Sequence, residues 1–369
     1  MQVRKAVTRS VLIFGGAGFI GSNWAHHLLK TSAARVHVFD NLSRPGVQHN
    51  LEWLQKNVPG KNRLQITIGD IRNPQAVRKA VHSATEIYHF AAQVAVTTSV
   101  EDPQLDFDVN LCGTLNILEA ARQTGRYPFL LFTSTNKVYG NFRQGPLTGP
   151  ASRFNCSVQD CVCESQPLDF HSPYGCSKGA ADQYVRDYAR IFDLPTVVFR
   201  MSCIAGPRQF GTEDQGWVAH FLYSALQDRV LTIYGDGRQV RDVLYVDDLL
   251  TALDRVGSSS QQTAGQVYNV GGGLDNSVSL LELINEIETL TARKIRYDVK
   301  PVRPGDQPVY VSNYAKLQQH TGWAPTLKVR EMLIRMEEWW IQNQQLFLTP
   351  MPARRLPMSQ VAEVPGMAV

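Results

Sequence analysis

The chain has 369 residues, of which 43% are hydrophobic and 19% charged, so its composition is that of an ordinary folded protein rather than a disordered one. Its 37 basic and 33 acidic residues leave a formal charge of +4, and the basic pairs are scattered, which argues against a nucleic-acid-binding surface. No apolar run reaches the roughly 20 residues that span a membrane, and the start of the chain leaves no room for a signal peptide, so we expect a cytoplasmic protein.

Apolar, strand-like runs alternate with helix-like segments over the first 200 residues. The predicted strands are Val11–Phe14, Val36–Phe39, Leu64–Ile68, Glu86–Phe90, Phe129–Thr133 and Thr196–Arg200. The predicted helices between them include Phe19–Lys30, Gln75–His82, Phe107–Thr124 and Tyr174–Phe192. This alternation predicts an α/β fold with a Rossmann-type, doubly wound parallel sheet and a ligand site outside the carboxyl ends of the strands.

The pattern changes after Arg200, where glycine-containing turns divide the chain into shorter units. Further helices are predicted at Val246–Val256, Leu280–Thr291 and Val329–Gln345. We therefore predict a Rossmann domain over residues 10–200, interrupted by a long loop at 140–169, and a smaller α/β region over 201–346 that is mainly substrate-binding. Residues 347–369 show no periodicity and are predicted to form a flexible tail.

A glycine-rich turn follows the first strand directly. Gly15 permits a tight turn, Gly18 lets phosphates approach the backbone, and Gly21 allows close packing of helix and strand. The helix that follows presents free N–H groups and a positive end to a pyrophosphate. Asp40 ends the second strand, where a carboxylate accepts hydrogen bonds from the adenosine ribose. Together these features predict a bound dinucleotide.

A second motif places Tyr174 and Lys178 four residues apart, on one face of a predicted helix. A lysine ammonium beside a phenol favours phenolate, so we expect Lys178 to lower the pKa of Tyr174 and also to bind the nicotinamide ribose. Thr135 follows the fifth strand and is expected to face the same crevice. Because the Tyr–Lys spacing alone also occurs on ordinary exposed helices, the prediction depends on its combination with the glycine turn.

The six cysteines do not form the framework of a small disulfide-rich protein. Cys156, Cys161, Cys163 and His171 lie in one loop-like segment and carry donor atoms that zinc accepts. Their spacing lacks the paired ligands of common zinc sites, so we expect free thiols and no metal.

Further short motifs occur in a defined order along the chain. They are Asp40-Asn41-Leu42-Ser43, Gly69-Asp70-Ile71-Arg72, His89-Phe90-Ala91-Ala92-Gln93, Asn110, Gly113-Thr114-Leu115-Asn116, Gly206-Pro207-Arg208-Gln209, Gly235-Asp236-Gly237, Arg241-Asp242, and Asn269 with Gly271-Gly272. With the glycine turn and the Tyr–Lys pair, they make residues 10–345 resemble the extended short-chain dehydrogenases/reductases, the superfamily of nucleotide-sugar epimerases and dehydratases. The resemblance implies a Rossmann fold and NAD as cofactor.

Longer stretches resemble one branch of that superfamily more specifically. They are Asp40–Arg44, Gln93–Ser99, Ser134–Gly140, Leu168–Tyr184 and Asp214–Val218. The branch consists of epimerases that invert C2 of CDP-linked deoxyhexoses of the paratose and tyvelose type. The resemblance therefore implies an isomerase that works through a transient 2-keto sugar and serves polysaccharide biosynthesis.

The resemblance also implies roles for individual residues. The catalytic residues are Thr135, Tyr174 and Lys178. The cofactor-binding residues are Gly15, Gly18, Phe19, Ile20, Asp40, Asn41, Ser43, Arg44, Asp70, Ile71, Ala91, Gln93, Asn110, Tyr174 and Lys178. The substrate-binding residues are Thr135, Asn136, Cys203, Arg208, Gln209, Arg241, Arg303 and Asp306, with the guanidinium groups of Arg241 and Arg303 on the diphosphate.

Several of these residues have alternative interpretations. Asp70 also suits a cap of the following turn, and Asn110 an ordinary polar position on a helix. Arg241 and Arg303 also suit surface salt bridges. Arg44 would favour NADP by binding a 2′-phosphate, but the carboxylate of Asp40 would repel that phosphate, so NAD is expected.

The residues after Thr135 separate the reaction types. The 4,6-dehydratases of the superfamily carry an Asp-Glu pair there, whereas Asn136 and Lys137 cannot act as carboxylate acid and base, so elimination of water is disfavoured. The alternatives that remain are a C4 epimerase of a UDP-hexose and a nonenzymatic NAD-binding regulator. We also expect a homo-oligomer, a dimer or tetramer, because relatives pair the two helices predicted at 107–124 and 174–192.

Overall fold

The computed structural model describes residues 9–141, 147–303 and 305–347. In this part of the chain, the strands before residue 202 are β1 Ser10–Phe14, β2 Arg35–Asp40, β3 Leu64–Ile68, β4 Glu86–His89, β5 Phe129–Thr135 and β6 Thr196–Met201. The later strands are β7 Cys203–Ala205, β8 Leu231–Tyr234, β9 Val240–Tyr245, β10 Val267–Val270, β11 Ser277–Ser279, β12 Tyr297–Lys300 and β13 Val309–Tyr310.

The helices alternate with the strands. The first seven are α1 Phe19–Thr31, α2 Val47–Asn57, α3 Pro74–Val81, α4 Val96–Glu101, α5 Pro103–Phe107, α6 Gly113–Gln123 and α7 Ser172–Phe192. The others are α8 Trp217–Leu226, α9 Val246–Ser258, α10 Ser260–Thr263, α11 Leu280–Thr291, α12 Ala315–Thr321 and α13 Val329–Asn343. Among the residues that the structure describes, no helix combines the length and apolarity that a membrane span requires.

The main sheet is parallel and has the strand order β10-β6-β5-β4-β1-β2-β3. Its strands are apolar because helices cover both faces, and β5 is buried along its whole length. From β1, the strands β2 and β3 are added on one side of the sheet, and β4, β5 and β6 are added on the other side. The strand order therefore reverses between β1 and β4. This reversal opens a crevice beyond their carboxyl ends. The structure confirms the predicted doubly wound α/β fold.

The smaller sheets lie after residue 202. β11 pairs with β9 in antiparallel fashion, while β13 and β7 pair with β9 in parallel, and β12 pairs with β8. Gly271, just after β10, lies against Asp242 of β9 and against Ser202, which directly follows β6. The sheet around β9 is therefore joined to the carboxyl ends of β6 and β10. β10 itself belongs to the main sheet, although it lies within the segment predicted to be mainly substrate-binding.

The helix predicted at Phe107–Thr124 is interrupted in the structure. α5 ends at Phe107, a π-helical turn covers Asp108–Cys112, and α6 begins at Gly113. The turn includes Asn110, whose side chain is buried and whose carbonyl accepts a hydrogen bond of 2.6 Å from the Thr114 hydroxyl. Helical periodicity alone does not reveal such a turn, because a π-helical turn adds a residue locally without changing the apolar pattern on either side.

The long loop predicted at 140–169 is described except for residues 142–146. Val162 donates a backbone hydrogen bond of 2.8 Å to Val311, and its carbonyl accepts one from Asn269. The loop is thus packed against the segment that follows β13 rather than extended into solvent. Of the predicted tail, Phe347 packs on Phe210 and Tyr223 at the end of a short 3₁₀ helix, and residues 348–369 lie outside the described chain.

Candidate active site

The glycine turn after β1 leaves no room for side chains at two of its positions. Gly15 has φ +75°, and a Cβ there would lie 2.6 Å from the backbone nitrogen of Ala91, which follows β4. A Cβ on Gly21 would overlap the carbonyl oxygen of Gly15. No described side chain caps α1, which begins after Gly18, so the first N–H groups of the helix remain available to a phosphate. The turn therefore fits the pyrophosphate of a dinucleotide.

The carboxylate of Asp40 is held in a fixed orientation at the end of β2. It accepts hydrogen bonds from the backbone of Ala17 at 3.0 Å and of Leu42 at 2.8 Å. Burial raises the pKa of Asp40, and these backbone bonds with the nearby Arg44 guanidinium act in the opposite direction. Asp40, the residue predicted to bind the ribose, is thus hydrogen-bonded to the glycine turn itself.

Asn41 links this carboxylate to the end of β3. Its amide donates to Asp70 at 3.0 Å, and its side-chain oxygen accepts from the backbone of Ser43 at 3.1 Å. Asp70 also accepts from the backbone of Arg72 at 2.9 Å and from its guanidinium at 2.8 Å. Burial opposes ionisation of Asp70, but the bonds from Arg72 outweigh it and the pKa is lowered. These contacts match the alternative interpretation of Asp70, in which it caps the following turn rather than binding the cofactor.

Arg44 extends across the crevice. Its guanidinium hydrogen-bonds to the side chain of Gln215, which lies in the loop before α8, and it interacts electrostatically with both Asp40 and Tyr174. Arg44 therefore connects Asp40, at the end of β2, with Tyr174 on α7. The sequence motif indicated only its proximity to Asp40.

A buried polar cluster supports the loop after β4. Asn110 accepts a hydrogen bond from the backbone of Gln93 at 2.9 Å and donates to its carbonyl at 3.0 Å. The Asn110 amide also donates to Asp106 at 3.0 Å and to the Ser177 hydroxyl at 3.1 Å. Asn110 thus fixes the segment that contains Ala91, beside the glycine turn. Asp106 and Ser177 were not identified from the sequence, because nothing in their local pattern marks them as partners.

Thr135 and Tyr174 meet at the carboxyl end of β5. The two side chains are hydrogen-bonded, and Tyr174 is only 8% exposed. Burial raises the pKa of the Tyr174 phenol to about 12, while the bond with Thr135 and the charge of Arg44 oppose this rise. The structure thus brings together the predicted hydroxyl pair.

The expected lowering of the Tyr174 pKa by Lys178 is wrong for the protein alone. Burial of the phenol dominates, and the lysine is engaged elsewhere: its ammonium donates a hydrogen bond of 2.6 Å to the carbonyl of Thr133 and lies 4.1 Å from the centre of the Phe132 ring. Burial lowers the pKa of Lys178 itself to about 7, against the charges of Asp182 and Asp106.

Predicted substrate residues surround the carboxyl end of β5. Asn136 donates a hydrogen bond of 3.3 Å to Gln307, and Asp306 accepts one of 2.7 Å from Arg241. Lys137 lies 3.3 Å from the same Asp306 oxygen. Cys203 accepts a hydrogen bond of 3.2 Å from the Trp217 indole, and burial raises the pKa of its thiol.

Two other predicted substrate residues, Gln209 and Arg303, bind other parts of the protein. Gln209 is buried and donates to the carbonyl of Ile204 at 2.9 Å. Arg303 lies 3.4 Å from carboxylate oxygens of Glu213 and Asp214, which is the salt-bridge alternative.

The structure does not bring Arg208 to the catalytic residues. Its guanidinium stacks 4.0 Å from the centre of the Trp53 ring and hydrogen-bonds to Asn23 of α1. Arg208 has a positive φ of +67°, which turns its side chain toward α1 and α2. The motif Gly206-Pro207-Arg208-Gln209 thus joins the two parts of the fold at this position.

The cysteine-rich loop shows no metal-binding arrangement in the part that the structure describes. Within those residues, no group of three or more His, Cys, Asp and Glu side chains is placed to hold a metal ion. Cys161 and Cys156 both direct their thiols at the carbonyl of Ser157, and His171 pairs with Asp169 at 2.8 Å.

Sequence comparisons agree with this architecture. The GDP-mannose 4,6 dehydratase family model matches residues 12–336. CDP-paratose 2-epimerase of Salmonella typhi is 42% identical over 337 residues, which cover 89% of this chain and 98% of that protein. dTDP-glucose 4,6-dehydratase of Streptomyces antibioticus is 32% identical and covers 91% of this chain and 93% of its own.

Solved structures give the same result. UDP-glucuronic acid 4-epimerase from Bacillus cereus, in complex with UDP-glucuronic acid and NAD, has a TM-score of 0.79 and 27% identity over 90% of this chain and 99% of its own. The dTDP-glucose 4,6-dehydratase DesIV from Streptomyces venezuelae, with NAD bound, also has a TM-score of 0.79 and 27% identity, and covers 91% of this chain and 98% of its own. The chain therefore belongs to the extended short-chain dehydrogenases/reductases, within the GDP-mannose 4,6-dehydratase family.

Proposed function

We propose that this protein is an NAD-dependent nucleotide-sugar epimerase that inverts C2 of a CDP-linked deoxyhexose of the paratose and tyvelose type. The observation that carries the proposal is the meeting of Thr135 and Tyr174 at the carboxyl end of β5, with Lys178 one turn further along the helix of Tyr174. The choice of C2 and of a CDP-sugar is supported by the 42% identity to the Salmonella CDP-paratose 2-epimerase.

The crevice fits NAD. The N–H groups of the glycine turn would hold the pyrophosphate, Asp40 and Asn41 the adenosine ribose, and Lys178 the nicotinamide ribose. When bound, NAD supplies the hydride acceptor and afterwards the hydride donor, together with a positive charge beside the phenol. The carboxylate of Asp40, already held by two backbone N–H groups, would repel a 2′-phosphate, which favours NAD over NADP.

Tyr174 acts as the base and then as the acid at one oxygen. Its phenolate removes the proton from the C2 hydroxyl of the sugar while the hydride leaves that carbon. Thr135 donates a hydrogen bond that favours the phenolate and then stabilises the oxygen of the keto sugar. After the keto sugar turns its other face, the hydride returns to C2 from that side while Tyr174 gives the proton back to the same oxygen. The configuration is inverted without net oxidation, so the cofactor is expected to stay bound through turnover.

A cluster of net positive charge begins two residues after Thr135 and suits an anionic substrate. Lys137 and Arg241 contribute two positive charges and Asp306 one negative charge, and Arg241 is buried. We assign the substrate diphosphate to Arg241, whose planar donors match phosphate oxygens. Arg303 is a second contact that first has to exchange its bonds to Glu213 and Asp214.

The sugar end of the pocket is assigned to Asn136, Cys203 and Gln209. Residues 10–200 then hold mainly the cofactor, and residues 201–346 mainly the substrate. We assign the protein to the cytoplasm and to polysaccharide biosynthesis. A homo-oligomer is supported by exposed apolar side chains on α5 and α7, among them Phe107, Tyr184 and Ile191.

The deciding experiment is incubation of the purified protein with CDP-, UDP- and GDP-sugars, followed by NMR of the ring protons. Inversion at C2 of a CDP-deoxyhexose is the expected result. Inversion at C4 of a UDP-hexose would replace the proposal with the C4 alternative. The absence of inversion with every donor would favour a nonenzymatic NAD-binding regulator.

A further inference from the structure

Asp106 is a fully buried carboxylate close to the catalytic helix. It lies in α5, and its oxygens accept hydrogen bonds from the Ser177 hydroxyl, from the Asn110 amide at 3.0 Å and from the Gln93 amide at 3.1 Å. Ser177 is the residue directly before Lys178. All three donors are neutral groups, so they orient the carboxylate without cancelling its charge.

The charge of Asp106 is not neutralised by an ion pair. Within the described residues, no cationic nitrogen lies in salt-bridge distance of its oxygens, whereas Asp182, the other carboxylate that acts on Lys178, accepts two bonds of 2.9 Å from Arg200. Both members of that ion pair are buried. Asp182 has the larger effect on Lys178, but Arg200 offsets its charge, whereas the charge of Asp106 has no ion-pair partner among the described residues.

The charged and titratable groups around this site come from several elements. They are Tyr174, Lys178 and Asp182 on α7, Arg200 on β6, His89 on β4, and Arg44 before α2. Burial, followed by the charge of Lys178, lowers the pKa of His89 far below its ordinary value, so His89 is neutral. Arg44 acts on Tyr174 from the opposite side of the crevice.

We propose that Asp106 is a positioning residue whose buried charge acts on the neighbouring Tyr174–Lys178 pair and governs how the two side chains ionise. The geometry supports this role, because the carboxylate is buried, is hydrogen-bonded to the residue directly before Lys178 and has no ion-pair partner among the described residues, so little water screens its charge. The consequence for catalysis rests on the proposed function; the effect on ionisation does not.

The proposal predicts the direction of each shift. Burial lowers the pKa of Lys178 to about 7, and the charge of Asp106 opposes that effect. Asp106→Asn keeps the shape and removes the charge, so both Lys178 and Tyr174 lose their protons at lower pH. We expect shifts on the order of one pH unit. Below the pKa of Asp106 itself, which burial raises, the variant and the wild type converge.

The first experiment is an ultraviolet titration of Tyr174. The tyrosinate absorbance of the wild type minus that of Y174F gives its ionisation curve, and D106N minus the double variant D106N/Y174F gives the second curve. The matched control is D187N, an exposed carboxylate on the same helix. We expect the curve to move to lower pH in D106N and to stay in D187N. Coincident curves for D106N and the wild type would overturn the proposal.

The pH profile of kcat/KM separates charge from structure. If Asp106 acts through charge, both limbs of the profile move to lower pH in D106N. A lower activity at every pH without such a shift would mean that Asp106 only supports the fold, and would overturn the proposal. Because the ultraviolet titration needs no substrate, a protein without epimerase activity would refute the proposed function and leave this inference testable.

A second measurement covers the case in which D106N does not fold. Coupling between two titrating groups is mutual, so Lys178→Met, which keeps Asp106 and its three donors, must raise the pKa of the Asp106 carboxyl group. Carbon-13 NMR of the aspartate carboxyl groups measures that pKa. The signal of Asp106 is assigned as the one that is lost in D106N or, if D106N does not fold, in D106E. A rise on the order of one pH unit is expected, and no rise would overturn the proposal.

Discussion

The Lys178 ammonium donates a hydrogen bond of 2.6 Å to the carbonyl oxygen of Thr133, two residues before Thr135. This bond fastens α7 to the end of β5 and so brings Tyr174 to Thr135. It also uses part of the donor capacity of Lys178 on the backbone, and the phenol keeps a pKa raised by burial. The lysine therefore acts first as an anchor between helix and sheet.

The hydrogen bond between Thr135 and Tyr174 lowers the pKa of the phenol and favours its phenolate. Thr135→Ala removes this bond, so the pKa of Tyr174 rises and the acid limb of the kcat/KM profile should move to higher pH. We expect kcat to fall by about 10²-fold or more. Thr135→Ser retains the hydroxyl and should keep the wild-type profile. An unchanged profile in T135A would contradict the assigned role.

Tyr174→Phe removes the acid/base group while preserving the ring. Turnover should fall by at least about 10³-fold, within the usual contribution of a positioned proton-transfer group. NAD should remain bound, as measured on the cofactor released by denaturation. The control is Tyr184→Phe on the same helix, where the phenol is 46% exposed and turnover should persist. Full activity of Y174F would refute the mechanism.

Arg241→Met tests the diphosphate contact. In the proposed complex the guanidinium binds the diphosphate, away from the reacting carbon, so its loss should raise KM by about 10-fold or more with little change in kcat. Arg296→Met removes an exposed charge elsewhere in the same region and serves as the control. A fall in kcat at constant KM would instead place Arg241 at the reacting carbon.

Gly21→Ala tests the glycine turn. The added Cβ would overlap the carbonyl of Gly15 and force α1 away from β1, so the free energy of unfolding should decrease by about 2–4 kcal/mol. The affinity for NAD should decrease as well. In contrast, a Cβ on Gly175 would approach no closer than 3.6 Å, and Gly175→Ala should preserve or slightly increase stability in urea unfolding. Equal stability of the two variants would contradict the steric argument.

The buried His37 should make the protein less stable in acid. Burial lowers its pKa to about 4 in the folded protein, from an ordinary value of 6.5. The unfolded chain therefore binds the proton more readily, and the free energy of unfolding falls by up to about 3 kcal/mol as the pH drops from about 6.5 to about 4.

His37→Gln supplies a side-chain amide that can replace the imidazole as hydrogen-bond partner of Thr67, and it removes the group that takes up the proton. The difference in unfolding free energy between wild type and H37Q should therefore change between pH 7 and pH 4.5, in favour of the variant at the lower pH. Parallel stability curves would show that His37 does not cause the loss.

Arg208 and Arg241 show that a short motif can identify a residue without predicting where its side chain lies. Both were predicted on the substrate from short motifs. Arg241 forms an ion pair with Asp306, next to Lys137, whereas Arg208 stacks on the Trp53 ring of α2. The difference lies in the backbone, because the positive φ of Arg208 directs its side chain to α1.

Local sequence patterns were sufficient to predict the parallel α/β fold, the dinucleotide turn and Thr135, Tyr174 and Lys178 as candidate site residues. These features depend on local periodicity, on glycines that tolerate no side chain, and on residues whose spacing places them on one helix face. The ionisation of the buried groups and the direction of their side chains depend on contacts in the folded protein. The raised pKa of Tyr174, the bond from Lys178 to Thr133 and the uncompensated charge of Asp106 arise from burial and from contacts between segments far apart in the chain, which no local pattern records.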